Sequence, residues 1–237
     1  MIYTFFPLFF FFLTSFTLSP SVVSKKVENV SDKVSVSNSE MNAEWVYDNL
    51  NANHFSLPKM ESFSEALKGF NLLKEKGLIQ KDILTLIDFS LSSNVKRLWV
   101  IDLTTNTILF NSLVAHGRNT GEEFATSFSN EASSFKSSLG FYVTGEIYQG
   151  KHGKSLKLDG LEKGVNDNAR ERGVVMHAAD YVSDAFIKVN KRLGRSQGCP
   201  ALPAALTTDI INTIKNKSCL FIYHPSRNYS NMPKILS

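Results

Sequence analysis

The sequence has only two cysteines, Cys199 and Cys219, in 237 residues. Two cysteines are too few for a disulfide framework, so a hydrophobic core has to stabilise the fold. One hypothesis is a disulfide between them, formed in an oxidising compartment. We favour one reactive and one buried thiol, because Cys219 lies in the apolar run 218–223, where a thiol behaves as a small hydrophobic side chain.

Concentrated charge is also missing from the sequence. The formal net charge is +4 and the sequence pI is about 8.9. The basic residues are spread along the chain and form no stripe of the kind that binds nucleic acid, so we expect no nucleic-acid partner. With 43% hydrophobic and 20% charged residues, the chain is expected to form one globular domain, either alone or with an appendage.

Charged side chains are absent from the first 20 residues, which are rich in Phe. This run predicts a signal peptide over residues 1–24, with small residues at 22–24 near the cleavage point. A retained membrane anchor is the alternative, since the run approaches spanning length, although Pro7 and Pro20 weaken it. Either interpretation places the rest of the chain outside the cytoplasmic membrane, in the periplasm or cell envelope.

Residues 25–80 divide into a linker and a helical segment. Residues 25–42 have no apolar period and predict the linker. In the helical segment 43–80 we expect a short helix at 43–56, in which His54 is a surface histidine. A second helix is expected to follow, with the capping box spacing of Ser62 and Glu65 at its start and Gly77 at its end.

Residues 81–237 are predicted to form a mainly β domain. Residues 97–103 and 107–111 predict a hairpin, because good strand formers flank a short polar turn. The apolar run 83–89 is compatible with either a strand or a helix. The remaining predictions are strands at 138–144, 174–177 and 219–223 and within 150–161, helices within 180–191 and at 204–215, and a surface loop at 118–137.

The main chemical candidate is Cys199, which lies in a turn between Gly198 and Pro200. Gly lets the backbone approach a bound carbonyl closely. A thiolate nucleophile also needs a base, for which His177 is the candidate, and oxyanion donors, for which the N–H groups of Gly198 and Cys199 are candidates. Arg195 is expected to lower the pKa of the thiol or to bind a substrate carboxylate. A turn cysteine without function and a core histidine are the alternatives.

We predict no metal and no cofactor. His116, His152, His177 and Cys199 all occupy loop or strand-end positions. No two of them are close enough in sequence to form a compact zinc-binding motif.

The order of the motifs resembles the murein L,D-transpeptidase catalytic-domain family of exported bacterial proteins. The resemblance covers roughly residues 45–224, with matching motifs at 114–117, 138–140, 152–156 and 192–203. Gln197 stands where the wider L,D-transpeptidase signature has His, and Ala178 follows His177 where Gly is commoner. The group that orients His177 is therefore left open between a backbone carbonyl and a side chain.

The resemblance implies an L,D-transpeptidase-type β-sandwich and a cysteine acyltransferase. The Cys199 thiolate would attack the third residue of a peptidoglycan stem tetrapeptide and release D-alanine, with His177 moving the proton. An amine of a second stem or of a lipoprotein would then resolve the thioester. The alternatives are a hydrolase of the same fold, such as an L,D-carboxypeptidase, in which water resolves it, and a non-catalytic peptidoglycan-binding module.

The resemblance also extends the set of candidate site residues. It implies substrate-binding positions at Arg195, Ser196, Gln197, Ser138 and Gly140. We further expect Arg170 and Arg172 to face the cleft. His116 and His152 belong to matching motifs, but no chemical role follows for either of them.

Overall fold

A computed structural model of the protein describes residues 43–229, together with residues 1, 2 and 4. The predicted signal peptide and linker therefore lie outside the described residues, apart from those three positions. Residues 43–48 are helical (α1). The other helices are α2 (Met60–Glu75), α3 (Asp184–Asn190) and α4 (Ala204–Ile214). The strands are β1 (Ile83–Asp88), β2 (Leu98–Asp102), β3 (Thr107–Ser112), β4 (Gly140–Gly150), β5 (Gly153–Gly160), β6 (Val175–Ala178), β7 (Ala201–Leu202) and β8 (Cys219–Tyr223).

The strands form one eight-stranded sheet in the order β3-β2-β1-β8-β4-β5-β6-β7. Most neighbours are antiparallel, but β1 pairs in parallel with β8 and β6 pairs in parallel with β7. The chain after β3 returns to the other edge, where Ala115 N–H donates to Ala201 O of β7 at 2.9 Å. This contact links the two edges, so the sheet is barrel-like.

Two apolar layers cover the central strands. In β8, Phe221 faces the layer that contains α1 and α2, whereas Leu220 and Ile222 face the layer that contains α4. Strands buried on both faces have continuous apolar sequences without alternation. This explains why the run 83–89 is ambiguous in sequence; in the structure it forms β1, which ends at Asp88.

The predicted mainly β fold is confirmed, with the predicted helix near the C-terminus present as α4. The hairpin is β2 and β3, and the strand expected to end at His177 is β6, which extends one residue further to Ala178. The two-residue strand β7 was not predicted, because it is too short to show a period. No helix within the described part of the chain is both long and apolar enough to cross a membrane.

Two predictions about the helical segment are wrong. The helix expected at 43–56 ends at residue 48, because Asn51 joins the sheet edge: its N–H donates to Asn106 O at 2.7 Å. The capping box is absent: α2 begins at Met60, and the Ser62 hydroxyl donates back to Lys59 O at 3.0 Å. Local polar spacing therefore gave the wrong start for the helix.

Candidate active site

The parallel pairing of β6 with β7 brings Cys199, in the turn just before β7, alongside the strand that carries His177. In this pair His177 is opposite Ala201. Extending the same register by two residues puts Cys199 opposite Val175, and Val175 N–H donates to Cys199 Sγ at 3.5 Å. Val175 and His177 point to the same face of β6, since side chains alternate along a strand. Residues far apart in sequence are thus brought to one side of the sheet.

The turn that carries Cys199 is held by its own side chains. The Ser196 hydroxyl accepts from Gly198 N–H at 3.0 Å and donates to Cys199 O at 2.6 Å. Gly198 has φ +122, and a Cβ atom there would lie 2.8 Å from Lys136 O. Both the conformation and the close approach require glycine. Ser137 Oγ also donates to Gly198 O at 3.2 Å.

The Cys199 thiol is partly buried and is not in a disulfide. Burial raises its pKa above the ordinary value, while Val175 N–H and the cations Arg172 and Lys151 act in the opposite direction. The thiol is therefore protonated at neutral pH in the free protein. Cys219 is also a free thiol, fully buried in β8. The predicted burial of Cys219 is confirmed, whereas the reactivity of Cys199 stays a prediction.

His177 is buried, with 3% of its surface exposed. Its Nδ1 lies 2.8 Å from Ala178 O, so a proton on Nδ1 is donated to that carbonyl and Nε2 is left as the acceptor. Burial lowers the pKa of His177, and His152 and Lys151 lower it further. The group left open by the sequence is thus a backbone carbonyl, and His177 is a neutral imidazole at neutral pH.

A cavity of about 480 Å³ contains both residues. Its lining includes Ser196 and Gln197, as well as Phe135 from the loop between β3 and β4. Basic and phenolic side chains also line it: Tyr148, Lys151, His152, Arg172, Tyr181 and Arg195. None of the described side chains in this lining is acidic, so the cavity favours an anionic ligand.

The structure separates the three arginines that were candidates for the cleft. Arg195 lines the cavity, but its guanidinium donates to Arg118 O at 3.0 Å and pairs with Glu122. Arg172 lines the cavity and is the arginine that acts on the Cys199 thiol. Arg170 does not line this cavity; it forms exposed ion pairs with Glu146 and Asp159.

Ser138 and Gly140 do not line this cavity either. Ser138 Oγ donates to Ser129 O at 2.8 Å and accepts from Arg172 at 2.5 Å, so it fixes the loop before β4. Gly140 begins β4 with φ +102, and a Cβ atom there would lie 2.2 Å from Glu162 Oε1. Ser138 and Gly140 therefore contact protein groups around the site, and neither lies where the predicted contact with a ligand in this cavity would be.

His116 is buried next to the Cys199 turn, and its contacts are with other protein groups. Arg97 donates to His116 Nδ1 at 2.8 Å, which makes Nε2 the protonated nitrogen that faces Gly121 O at 3.2 Å. Burial and the neighbouring Arg97 lower the pKa of His116 to about 4. Its carbonyl accepts from Ser196 N–H at 3.0 Å. His116 thus supports the Cys199 turn through its backbone.

Sequence reasoning missed Lys151, Tyr148 and Tyr181 as cavity residues. Lys151 and His152 form the tight turn between β4 and β5, and the Gly residues at 150 and 153 were the available signal for that turn. Nothing in the sequence indicated that this turn reaches His177. Within the described residues, no group of three or more His, Cys, Asp or Glu side chains is arranged to hold a metal ion.

Comparison with known proteins identifies the family of this chain. The sequence profile of the L,D-transpeptidase catalytic domain matches residues 56–223. The chain belongs to this family, as the motifs around Cys199 predicted. No match to a curated protein was found. The match begins within the helical segment 43–80, and α2 packs on the same sheet as the strands.

Solved structures of similar proteins are distant. An L,D-transpeptidase from Mycobacterium smegmatis is 10% identical with a TM-score of 0.38, over 60% of this chain and 59% of that chain. The helical cell shape determining protein Pgp2 from Campylobacter jejuni is 12% identical with a TM-score of 0.40, over 72% and 60%.

An L,D-transpeptidase (Yku) from Stackebrandtia nassauensis is 11% identical with a TM-score of 0.36, over 70% of this chain and 68% of that chain. At such TM-scores these similarities carry no argument about function. The chain spans 59% of the length of the Mycobacterium smegmatis structure.

Proposed function

We propose that the protein is a peptidoglycan L,D-transpeptidase that uses Cys199 as the nucleophile and His177 as the base. The family membership supports the reaction class. The observation that carries the assignment of residues is that Cys199 and His177 line one cavity, with His177 on β6 and Cys199 in the turn that leads into its paired strand β7. Neither residue needs a metal or a cofactor for acyl transfer.

The resting pair is a neutral thiol and a neutral imidazole, as the directions of both pKa shifts indicate. His177 Nε2 takes the proton as Cys199 Sγ attacks the carbonyl of the third stem residue. The C–N bond to D-alanine then breaks, and His177 returns the proton to the leaving amine. A thioester remains on Cys199, and an acceptor amine that gives up a proton to His177 resolves it.

The oxyanion that develops during attack needs a donor. Cys199 N–H is the proposed donor. Gly198 N–H already donates to Ser196 Oγ. The Gly198 N–H contributes to binding the oxyanion only if its hydrogen bond to Ser196 is released during the reaction. Ser196 then acts by shaping the turn, and Gln197 is the exposed cavity residue that contacts the substrate next to the nucleophile.

The charge of the lining supports an anionic acyl donor, such as a stem tetrapeptide with free carboxylates. Arg172 and Arg195 both direct their guanidinium groups to protein acceptors. Lys151 is exposed, and the structure shows it in no ion pair with a described residue. We therefore assign the principal carboxylate contact to Lys151, with Arg195 at the rim.

Transpeptidation is tested by incubating the purified protein with a disaccharide tetrapeptide and analysing the products by mass spectrometry. A crosslinked dimer with released D-alanine supports the proposal, and a Cys199→Ala protein should form neither product. Tripeptide alone indicates the alternative, an L,D-carboxypeptidase that uses water. If no product forms and a carbapenem does not acylate the thiol, the chain is not an enzyme and the peptidoglycan-binding module is favoured.

We further propose that the protein is exported to the periplasm or cell envelope, where its peptidoglycan substrate lies. The uncharged first 20 residues support this proposal. The corresponding organisation is a signal peptide at 1–24, a linker at 25–42, a helical segment at 43–80 and a catalytic domain at 81–237. Mass spectrometry of the N-terminus of the mature protein, purified from a cell fraction, tests both cleavage and location.

A further inference from the structure

The rings of His152 and His177 are stacked. Their centroids are 4.4 Å apart and their planes differ by 20°. The pairing of β5 with β6 explains the contact, because Leu156 is opposite Met176 and the chain that precedes Leu156 runs alongside His177. His152 lies on the tight turn just before β5 and is exposed, whereas His177 is buried. His152 therefore forms the solvent side of the wall around His177.

We propose that His152 is a positioning residue that keeps the His177 imidazole neutral and correctly oriented towards Cys199. The inference rests on the proposed role of His177 as the base. It assigns a function to a histidine that sequence reasoning left without one. His152 itself is not required to touch the substrate or the thiol.

Orientation is the first part of the argument. The hydrogen bond that the structure shows for the His177 ring goes from Nδ1 to Ala178 O. One hydrogen bond at one ring nitrogen fixes the tautomer but leaves the ring free to tilt about that contact. A flat ring stacked on one face restricts the tilt. Since a displacement of about 1 Å in a catalytic group can cost as much as 100-fold in rate, this restriction matters for proton transfer.

Electrostatics is the second part of the argument. Two imidazoles in stacking contact repel each other when both are protonated, so His152 opposes protonation of His177. Burial is the largest cause that lowers the pKa of His177, and His152 and Lys151, from the same turn, lower it further. The other titratable groups that line the cavity are Tyr148, Arg172, Tyr181, Arg195 and Cys199, so no carboxylate among the described residues of the lining offsets this effect.

The test compares His152→Ala and His152→Phe with His54→Ala. Phenylalanine keeps a stacked ring without a proton, alanine removes both, and His54 is an exposed histidine outside the cavity lining. Circular dichroism and thermal unfolding check that each variant is folded. The pKa of His177 is followed by NMR titration, and the reactivity of Cys199 by iodoacetamide alkylation across pH. Neither measurement needs the substrate.

We expect His152→Ala to raise the pKa of His177, since both burial and repulsion are relieved. With the tetrapeptide substrate, kcat should fall roughly tenfold while KM changes less than about twofold, because only proton transfer is affected. His152→Phe should retain most of kcat, and His54→Ala should match the wild type in every measurement.

Two results would overturn the inference: an unchanged pKa of His177 and kcat in His152→Ala, or a raised KM with kcat unchanged, which would make His152 a substrate contact. The proposed function fails separately. If the wild-type protein forms no product but the His177 pKa shifts in His152→Ala, the coupling of the two histidines stands and the assigned reaction does not.

Discussion

The Ser196 hydroxyl donates to the carbonyl oxygen of Cys199 at 2.6 Å and so closes the turn that carries the nucleophile. The same hydroxyl accepts from Gly198 N–H at 3.0 Å. Ser196 is buried, with 5% of its surface exposed, and its own N–H donates to His116 O. Ser196, which the sequence suggested as a ligand contact, therefore fixes the backbone around Cys199 through its hydrogen bonds.

Removing the Ser196 hydroxyl should lower both the free energy of unfolding and kcat. Ser196→Ala leaves the Cys199 carbonyl without its hydroxyl donor, and two buried hydrogen bonds at about 1 kcal/mol each predict a loss of about 2 kcal/mol in the free energy of unfolding. We expect kcat to fall roughly tenfold, because the position of Cys199 Sγ is no longer fixed. Ser196→Thr retains the hydroxyl and is the matched control; equal rates for wild type and Ser196→Ala would contradict the role.

Glycine at position 198 should be irreplaceable. Gly198→Ala introduces a Cβ atom 2.8 Å from Lys136 O at φ +122. We expect a destabilisation of about 1–3 kcal/mol and loss of transpeptidation, since the turn has to move. Gly164→Ala is the control: it also has a positive φ, +75, but meets open space. Chemical unfolding and product formation measure the two effects, and full activity in Gly198→Ala would refute the prediction.

Arg172 should couple the loop between β3 and β4 to the thiol. Its guanidinium donates to Ser129 O at 3.0 Å and to Lys136 O at 2.8 Å, and it lowers the pKa of Cys199. Arg172→Gln is expected to slow alkylation of Cys199 by iodoacetamide at pH 8 and to speed proteolysis within residues 129–138.

Arg170 provides the matched control for this experiment. Its ion pairs with Glu146 and Asp159 lie at the surface, where solvent screens such pairs and they contribute little to stability. Arg170→Gln should therefore leave both alkylation and proteolysis at the wild-type rate. If the two variants behave alike, the assignment of Arg172 to the site is wrong.

The buried His116 should make the protein sensitive to acid. Its pKa is lowered from 6.5 to about 4 by burial and by Arg97. The unfolded chain therefore binds a proton at a higher pH than the folded protein does. The resulting stability is complete above about pH 6.5 and is lost as pH falls towards 4, by about 3 kcal/mol in total.

His116→Gln removes the titrating group, so a comparison with the wild type isolates the contribution of His116 to the pH dependence of stability. Urea unfolding of wild type and variant at pH 7.5 and pH 4.5 gives the stability difference at each pH. We expect the advantage of the wild type to shrink by about 2–3 kcal/mol at the lower pH. His54→Gln, at an exposed position, should show no such change. A constant difference between wild type and His116→Gln would contradict the buried neutral state.

Strand formers allowed most of the strands to be predicted, apart from the two-residue β7 and the ambiguous run that became β1. The assignment of Cys199 and His177 as a pair came from the order of the motifs, because the local sequence of each residue left a structural alternative open. The start of α2 was predicted wrongly, since side-chain packing on β1 and β8 overrides a weak capping pattern. Lys151 and the stacking partner of His177 depend on the pairing of β5 with β6, and long-range register leaves no local mark in a single sequence.

Because long-range contacts leave no local mark in the sequence, Arg170, Ser138 and Gly140 were also predicted at positions that do not line the cavity. Arg170 and Arg172 are two residues apart, and only their neighbours in space decide that Arg172 reaches the cavity while Arg170 faces Glu146. Ser138 and Gly140 lie in a matching motif, but that motif serves the framework: Ser138 accepts from Arg172, and Gly140 leaves room for Glu162. A motif therefore marked the neighbourhood of the site without giving the role of each residue.

The most direct test of the proposed mechanism is the covalent intermediate. The protein is mixed with the disaccharide tetrapeptide, quenched in acid, and analysed by intact mass and peptide mapping. We predict a disaccharide-tripeptide acyl group on the peptide that contains Cys199, formed in the first turnover with one D-alanine released for each thioester, and no adduct on Cys199→Ala. Product formation without this adduct, or full activity in Cys199→Ala, would contradict the central claim that Cys199 is the nucleophile.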